Sequence, residues 1–366
     1  MAASEWDVII VGAGPAGSVL ACRLRPQCRV LLLDRLPLRA AAPRIGESLP
    51  GAARVLLQRC GAFERFNAAG HAQRGATVSQ WDSETPVWFD PLRDPNGAGW
   101  HLDRARFDAD LRASAVAAGA LLVVDCGPLR VTREGEGWQV VDEAARSLHR
   151  SKVLVDATGR TAAIARQLGL VRRVEDELIC LHTYLPPIPG DDDQCTRLCA
   201  DDNGWWYSVR LPTGRRVLAF HLDADDAELR ALRSLPALLD KARRHALLAD
   251  VLPAAASETV HARPAGSAVL DPASMAQAAP GFFAIGDAGL SFDPIASQGL
   301  FHALASGASA ADAIGRGNAD SASARDAFLE EMAAVHAHYR RRLHDTYAAP
   351  LRYRHQRFWS RRQGAR

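Results

Sequence analysis

The stretch Trp6-Asp7-Val8-Ile9-Ile10-Val11-Gly12-Ala13-Gly14-Pro15-Ala16-Gly17 limits what this chain can fold into more than any other part of it. An apolar run enters Gly-x-Gly-x-x-Gly, a helix-like run follows, and a second apolar strand ends at Leu33-Asp34, with the acid 22 positions after Gly12. That order fits a βαβ unit whose helix N-terminus holds a pyrophosphate. Gly12 permits the tight turn, Gly14 lets the backbone approach phosphate oxygens, and Gly17 lets the helix pack closely on the strand. Asp34 sits where a carboxylate takes the hydroxyls of an adenosine ribose. A glycine triplet alone is weak evidence; strand, triplet, helix and acid in register are strong.

With 366 residues, 48% of them hydrophobic, the chain can bury a sizeable core and has room for two domains. No run approaches the ~18 apolar residues that span a membrane, and the opening residues read as an acid and a strand, unlike a secretion signal. The net charge of +2 selects no class of partner. Lys152 and Lys241 are its two lysines, so nearly all positive charge is arginine. Seven cysteines at irregular spacing argue against a disulfide framework and for a reducing compartment, hence the cytoplasm. Cys195 and Cys199 lack a second ligand pair nearby, so no metal site is expected.

Further along, Arg44-Ile45-Gly46-Glu47-Ser48-Leu49-Pro50 precedes an amphipathic run, 51–60. Glu47 and Ser48 either cap that helix or reach toward a cofactor. Residues 77–89 alternate roughly with period two and read as a hairpin leaving the nucleotide domain. Trp100-His101-Leu102-Asp103-Arg104 then leads into a helix expected over 107–118, with Phe107, Leu111 and Ala115 on one face. After three short strands, Val153-Leu154-Val155-Asp156-Ala157-Thr158-Gly159 is another strand ending in a turn of small residues; it either passes close to the dinucleotide or is an ordinary strand-to-helix turn.

From 179 to 261 the strands no longer alternate with helices, which assigns them to a second, sheet-based domain, with one helical stretch at 236–249. Gly204-Trp205-Trp206-Tyr207-Ser208 puts aromatic groups on both faces of one strand, as core packing or as a wall for an aromatic substrate, with Trp205 and Tyr207 the substrate candidates. A second constellation follows: an apolar strand into Gly286-Asp287, then Asp293-Pro294-Ile295-Ala296-Ser297-Gln298-Gly299-Leu300 opening a helix. A carboxylate at Asp287 can accept hydrogen bonds from a polyol chain, and the positive end of the helix would stabilise charge on a reduced ring system. A nicotinamide dinucleotide has no ribityl chain for Asp287, so the two sites together are best explained by FAD.

These segments in this order, together with Arg104 and Phe107-Asp108, resemble the para-hydroxybenzoate hydroxylase-like FAD superfamily over most of the chain. Gly46-Glu47-Ser48 and Asp293-Pro294 to Gly299 are similar to its branch of tryptophan halogenases, geranylgeranyl reductases and LodB-like flavoproteins of tryptophylquinone maturation; the Trp205-Trp206-Tyr207 strand and the compact length are most similar to the last. The resemblance implies an α/β fold, a Rossmann-like FAD-binding domain with an inserted β-sheet substrate domain and a C-terminal helical segment. The boundaries expected are 1–78, 100–178 and 262–320 for the FAD domain, 79–99 and 179–261 for the substrate domain, and 321–366 for the arginine-rich end. It further implies that Gly12, Gly14 and Asp34 bind ADP, Arg104 reaches the FAD backbone, Asp287 holds ribityl or pyrophosphate oxygens, and Pro294, Gln298 and Gly299 line the isoalloxazine. Ala13, Pro15, Ala16, Arg35 and Arg44 complete the set at the nucleotide end; Ser48, Thr158, Gly159, Gly286 and Leu300 complete it toward the flavin.

Departures from the relatives narrow the activity. No lysine occurs between Met1 and Ser151, where halogenases carry one after the Gly-Glu motif, which disfavours halogenation. Asp156-Ala157-Thr158-Gly159 replaces the Asp-Gly pair that helps hydroxylases bind NAD(P)H, so reductant arrives from NAD(P)H directly or through a separate reductase. The favoured function is hydroxylation, with O2 as co-substrate, of an indole or phenol, on a small molecule or a tryptophan of a precursor polypeptide, through a flavin C4a-hydroperoxide. His101, Glu47 and His302 are the candidates for proton handling. The rivals are a geranylgeranyl-reductase-like oxidoreductase and a flavin-containing maturation scaffold. Over 340–366, arginines interleave with Tyr353, Phe358 and Trp359, either as a solvated helix face or as a docking surface for an acidic partner; nucleic acid is not expected, because no recognised module accompanies the charge.

Overall fold

The computed structural model describes residues 4–24, 28–35, 45–279, 281–316 and 322–363. Its first strand, Ser4–Val11, is buried on both faces over Val8–Val11, which is why that part reads as an unbroken apolar run. Val30–Leu33 and Ser147–Asp156 flank it in parallel, Leu121–Val123 lies outside Val30–Leu33, and Phe282–Ala284 pairs in parallel with the end of Ser147–Asp156. The antiparallel strands Leu129–Glu134 and Gly137–Asp142 extend the sheet from the other half of that long strand. Side-chain alternation divides the core. Val8 and Ile10 pack under the helices Pro15–Arg23, Arg104–Ala117 and Gly299–Arg316, while Ile9 and Val11 pack with Trp138, Ile164 and Phe282 on the opposite face. This is the expected α/β architecture, a Rossmann-like domain with additional sheets and C-terminal helices.

The second large sheet runs His261–Pro264, Leu178–Leu185, Arg216–Asp223, Gly204–Arg210, Thr196–Asp201, Thr77–Gln80, Val87–Phe89. It is antiparallel except where Thr196–Asp201 meets Thr77–Gln80. It takes Thr77–Gln80 and His261–Pro264 whole, so the strand pairing sets its limits slightly outside 79–99 and 179–261. The helical stretch foreseen at 236–249 is two helices, Leu235–Ala242 and Ala246–Ala249. Period-two alternation again sorts the side chains. Leu181, Trp206, Leu218, Phe220 and Leu222 face Leu235–Ala242; Cys180, Tyr184, Trp205, Tyr207 and His221 face the other way, toward the first domain.

At the C-terminus, Ala322–Ala348 and Arg357–Gln363 close over this sheet. The arginines here divide: Arg341, Arg342 and Arg354 are exposed, while others are tied to the second sheet. Arg362 is buried against Asp176 and Asp223, Arg361 pairs with Asp223 and Asp225, and Arg357 with Asp225. Arg352 donates to the carbonyls of Gln80 and Trp81. Phe358 and Trp359 are buried among Trp81, Trp205 and Tyr347. No helix among the described residues is long and apolar enough to cross a membrane.

Candidate functional site

A cavity of 920 Å3 runs between the two sheets, at the upper end of the size range of ligand pockets. Its nucleotide end opens at the first turn. Gly12 has φ +111°, and a β-carbon there would sit 2.2 Å from the Ala157 carbonyl; one at Gly17 would sit 2.0 Å from the Gly12 carbonyl. A β-carbon on Gly14 would meet nothing within 4 Å, because that side opens into the cavity. The helix Pro15–Arg23 has no side-chain cap, so the N–H groups of its first turn are available to an anion at this opening. Pro15, Ala16 and Arg35 line the cavity; Ala13 is buried beneath it, and Arg44 lies outside the described residues.

Asp34 also lines this end. Its carboxylate accepts the Ala13 N–H at 2.8 Å and Arg112 at 3.1 Å, while Arg112 Nε donates to the Ala13 carbonyl at 2.9 Å. Sequence reading passed over Arg112. The signal was present: a cation at the i+4 position from Asp108, on the face that carries Phe107 and Leu111 into the core, needs a buried partner.

Midway, the Thr158-Gly159 turn is shaped by Asp156, whose buried carboxylate accepts from Thr158 N and Oγ1, Ile164 N and Ala165 N. Burial raises its pKa, and these bonds oppose the rise. Arg104 donates to the carbonyls of Ile45 and Gly46 and to Asp108, and its Nε is buried without a partner. Asp287 stands 3.5 Å from Arg160 Nε, and Arg160 in turn donates to the carbonyls of Gly266 and Phe292. Burial pushes the Asp287 carboxyl upward, while Arg160, Arg172 and Arg104 pull it down. Part of its surface stays open to the cavity although dense protein surrounds it.

Beyond Asp287, Pro294, Ser297, Gly299 and Leu300 line the cavity, whereas Gln298 does not. Ser297 takes a left-handed conformation, φ +50°, and the Asp293 carboxylate holds the turn by accepting the Ile295 N–H at 2.9 Å. The opposing wall comes from the second sheet. Trp205 stacks flat on His221, ring centres 3.6 Å apart, and both line the cavity beside Tyr207 and Cys180. The alternation thus splits the aromatic run, with Trp206 in the core and Trp205 and Tyr207 on the cavity side. Burial lowers the His221 imidazole to about 3, so it is neutral.

Glu47 and Ser48 do not cap the following helix, Ala53–Arg59, whose start has no side-chain partner. Ser48 pairs with His101 in a short antiparallel ladder and shares a 3.1 Å hydrogen bond with Tyr207. The buried Glu47 carboxylate accepts the Gly46 N–H at 2.9 Å and the Tyr184 hydroxyl at 3.1 Å. Burial raises it to about 7; the Gly46 N–H, the Arg104 charge and Tyr184 limit the rise. The other two proton-handling candidates do not reach the cavity. His101 is fully buried with Nε2 3.0 Å from the Thr196 hydroxyl, and His302 packs its ring on Phe292; burial holds both near 4.

Donor groups at an uncapped helix start, an acid at the end of the second strand, and a carboxylate ringed by arginines form the donor set of a flavin dinucleotide site in an α/β domain. The chain belongs to the FAD binding domain family, whose model matches residues 5–216. It is an FAD-dependent oxidoreductase. It is 26% identical to the putative FAD-dependent oxidoreductase LodB of Marinomonas mediterranea, covering 98% of this chain and 97% of LodB. Among solved structures it is similar to QhpG, described as a peptidyl tryptophan dihydroxylase essential for tryptophylquinone cofactor biogenesis, with a TM-score of 0.80, 23% identity, and 98% and 79% of the two chains covered. CmlS, a flavin-dependent halogenase, aligns with a TM-score of 0.79 at 21% identity over 100% of this chain and 68% of its own.

Proposed function

We propose that this chain is a monooxygenase that hydroxylates an electron-rich aromatic ring, an indole or a phenol, either free or as a tryptophan side chain of a precursor polypeptide. Bound FAD, once reduced by NAD(P)H directly or through a separate reductase, supplies the activation of O2. In this reading Gly12, Gly14 and the helix start hold the pyrophosphate, and Asp34, fixed by Arg112, takes the adenosine ribose. Arg104 and Thr158-Gly159 contact the chain between the two ends, Asp287 takes ribityl hydroxyls, and Pro294, Gly299 and Leu300 lie along the ring. The Trp205–His221 slab and Tyr207 orient the substrate ring and exclude water. Glu47 holds or takes a substrate proton at its carboxylate, as a base whose affinity matches neutral solution.

The observation that carries this reading is the buried Glu47 carboxyl, held at about 7, facing an aromatic wall in the cavity into which the cofactor turns open. The hydroxylation of a peptidyl tryptophan named for QhpG is an instance of this reaction class. Against halogen transfer, the cavity presents no amine: Lys152 lies outside it, and Lys241 is tied to Asp201, Asp202 and Glu228. The test supplies reduced holoprotein with isotopically labelled dioxygen and a panel of indoles, phenols and tryptophan peptides. Labelled oxygen in the product supports the proposal; turnover of any substrate under argon, or products without label, overturns it.

A further inference from the structure

The long helix Ala322–Ala348 carries two tyrosines eight positions apart, a spacing that places both on one face. Both reach Asp293. Tyr347 donates its hydroxyl proton to Oδ2 at 2.7 Å, and the Asp293 N–H donates to the Tyr339 hydroxyl at 2.8 Å. The other carboxylate oxygen holds the turn that delivers Ser297 and the start of the helix Gly299–Arg316 to the cavity. Tyr347 has a second bond: its hydroxyl accepts the Trp205 Nε1–H at 3.1 Å. One buried phenol therefore joins the substrate wall of the second sheet to the turn beside the cofactor.

We propose that Tyr347 is a positioning residue through which an aromatic substrate seated against Trp205 alters the Asp293 turn, so that the flavin responds to substrate arrival. This rests on the aromatic-hydroxylase reading above. The physical route is short. A hydroxyl that accepts a hydrogen bond becomes a better donor, so the Trp205 bond strengthens the one Tyr347 gives to Asp293. A ring pressed against Trp205 that shifts its indole weakens the first bond and, through it, the second. Asp293 is sensitive to such a change. Burial and nearby Asp176 push its carboxyl up, while the Ile295 N–H, Tyr347 and Arg362 pull it down, leaving it at about 6; Tyr339 and the Cys180 thiol are the other titratable groups that feel its charge. The carboxyl thus lies close to the pH at which the loss of one donor changes its charge.

A staple with no part in catalysis would make the same contacts, and two phenylalanine variants separate the cases. Tyr347→Phe keeps the ring among Trp81, Phe358 and Trp359 and removes both bonds; Trp205→Phe removes the first bond from the far end. Holoproteins are titrated with indole, with binding followed by calorimetry and the flavin by its visible spectrum and midpoint potential. In wild type, indole shifts both flavin signals. In Tyr347→Phe indole binds with heat comparable to wild type while the flavin shift is lost; in Trp205→Phe, which alters the substrate wall itself, indole binds more weakly and the shift stays absent at saturating indole. The double variant loses no more of the shift, and the flavin-detected titration near pH 6 moves upward in Tyr347→Phe, because the lost donor favoured the ionised carboxylate. A wild-type flavin shift surviving in either variant, or indole binding to wild type without any shift, overturns the coupling and leaves the aromatic site standing. If wild type binds neither indole, nor phenol, nor a tryptophan peptide, both are overturned. If Tyr347→Phe sheds FAD, Trp205→Phe decides alone.

Discussion

The glycine turn allows fold and cofactor binding to be separated by a single methyl group placed at two positions. Gly14 has φ −75° and ψ −174°, a conformation open to any residue, and its β-carbon would enter empty cavity. Gly14→Ala should therefore leave the apoprotein as stable as wild type or stabilise it by about 0.4–1 kcal/mol, because alanine restricts the unfolded chain. The methyl instead stands where a phosphate would approach the backbone. Losing one charge-assisted hydrogen bond costs about 1.5–3 kcal/mol, which weakens FAD binding roughly tenfold to a hundredfold. At Gly17 the same methyl would lie 2.0 Å from the Gly12 carbonyl, a backbone atom that cannot retreat without opening the turn. Gly17→Ala should cost about 1–3 kcal/mol or more in the apoprotein itself. Thermal melts of apoprotein and FAD titrations by fluorescence quenching measure the two effects. If Gly14→Ala binds FAD like wild type, the phosphate does not approach at Gly14; if its apoprotein melts as low as that of Gly17→Ala, the backbone there has no room for the methyl.

Four further outcomes follow from the electrostatics. With Glu47 as base, the wild-type rate rises as pH passes about 7, and Glu47→Gln is slow with a flat profile. Its folded value lies above the ordinary 4.5, so Glu47 favours the folded state when protonated; that contribution is full below about 4.5 and lost as pH rises through about 7, so melting curves should show Glu47→Gln gaining stability over wild type only on the alkaline side. Arg362→Leu leaves Asp176 and Asp223 without their buried partner and should cost about 3–5 kcal/mol in denaturant unfolding, a penalty that shrinks at low pH, where Asp176, already raised by burial, takes a proton. His302→Leu and His101→Gln, changed outside the cavity, should lower melting temperature while the midpoint of the rate–pH profile stays where it is in wild type; a displaced midpoint would restore either histidine as a proton carrier.

The glycine turn and the acid after it were legible because their requirements are local. A turn that needs positive φ at Gly12 and leaves no room for a side chain at Gly17 must carry glycine at both, and the acid ending the second strand follows one helix later. Period two likewise announced that Trp205 and Trp206 face opposite ways, but not which one the helices cover, since that depends on packing by Leu235–Ala242 some thirty positions on. Glu47 could be singled out, yet its affinity near 7 depends on Tyr184, 137 positions away, and on burial no local pattern reports. His101 and His302 fail for a related reason. Closeness in sequence to cofactor motifs places a backbone, whereas Thr196 and Phe292 decide where each imidazole goes.

The C-terminal arginines carry this argument furthest. Composition cannot distinguish a solvated guanidinium from a paired one, and the aspartates that meet Arg357, Arg361 and Arg362 lie on or beside two strands of the second sheet, more than 130 positions earlier. Once those pairs form, Tyr339 and Tyr347 are held against Asp293, so a segment resembling a charged tail completes the wall opposite the cofactor turns. The glycine turn is therefore specified by neighbours in sequence, and the wall from the second sheet by pairings across the whole chain. On the proposed aromatic-hydroxylase reading, exchanging the sheet's cavity-facing residues, Cys180, Trp205, Tyr207 and His221, should change which ring is accepted while the glycine turn stays intact.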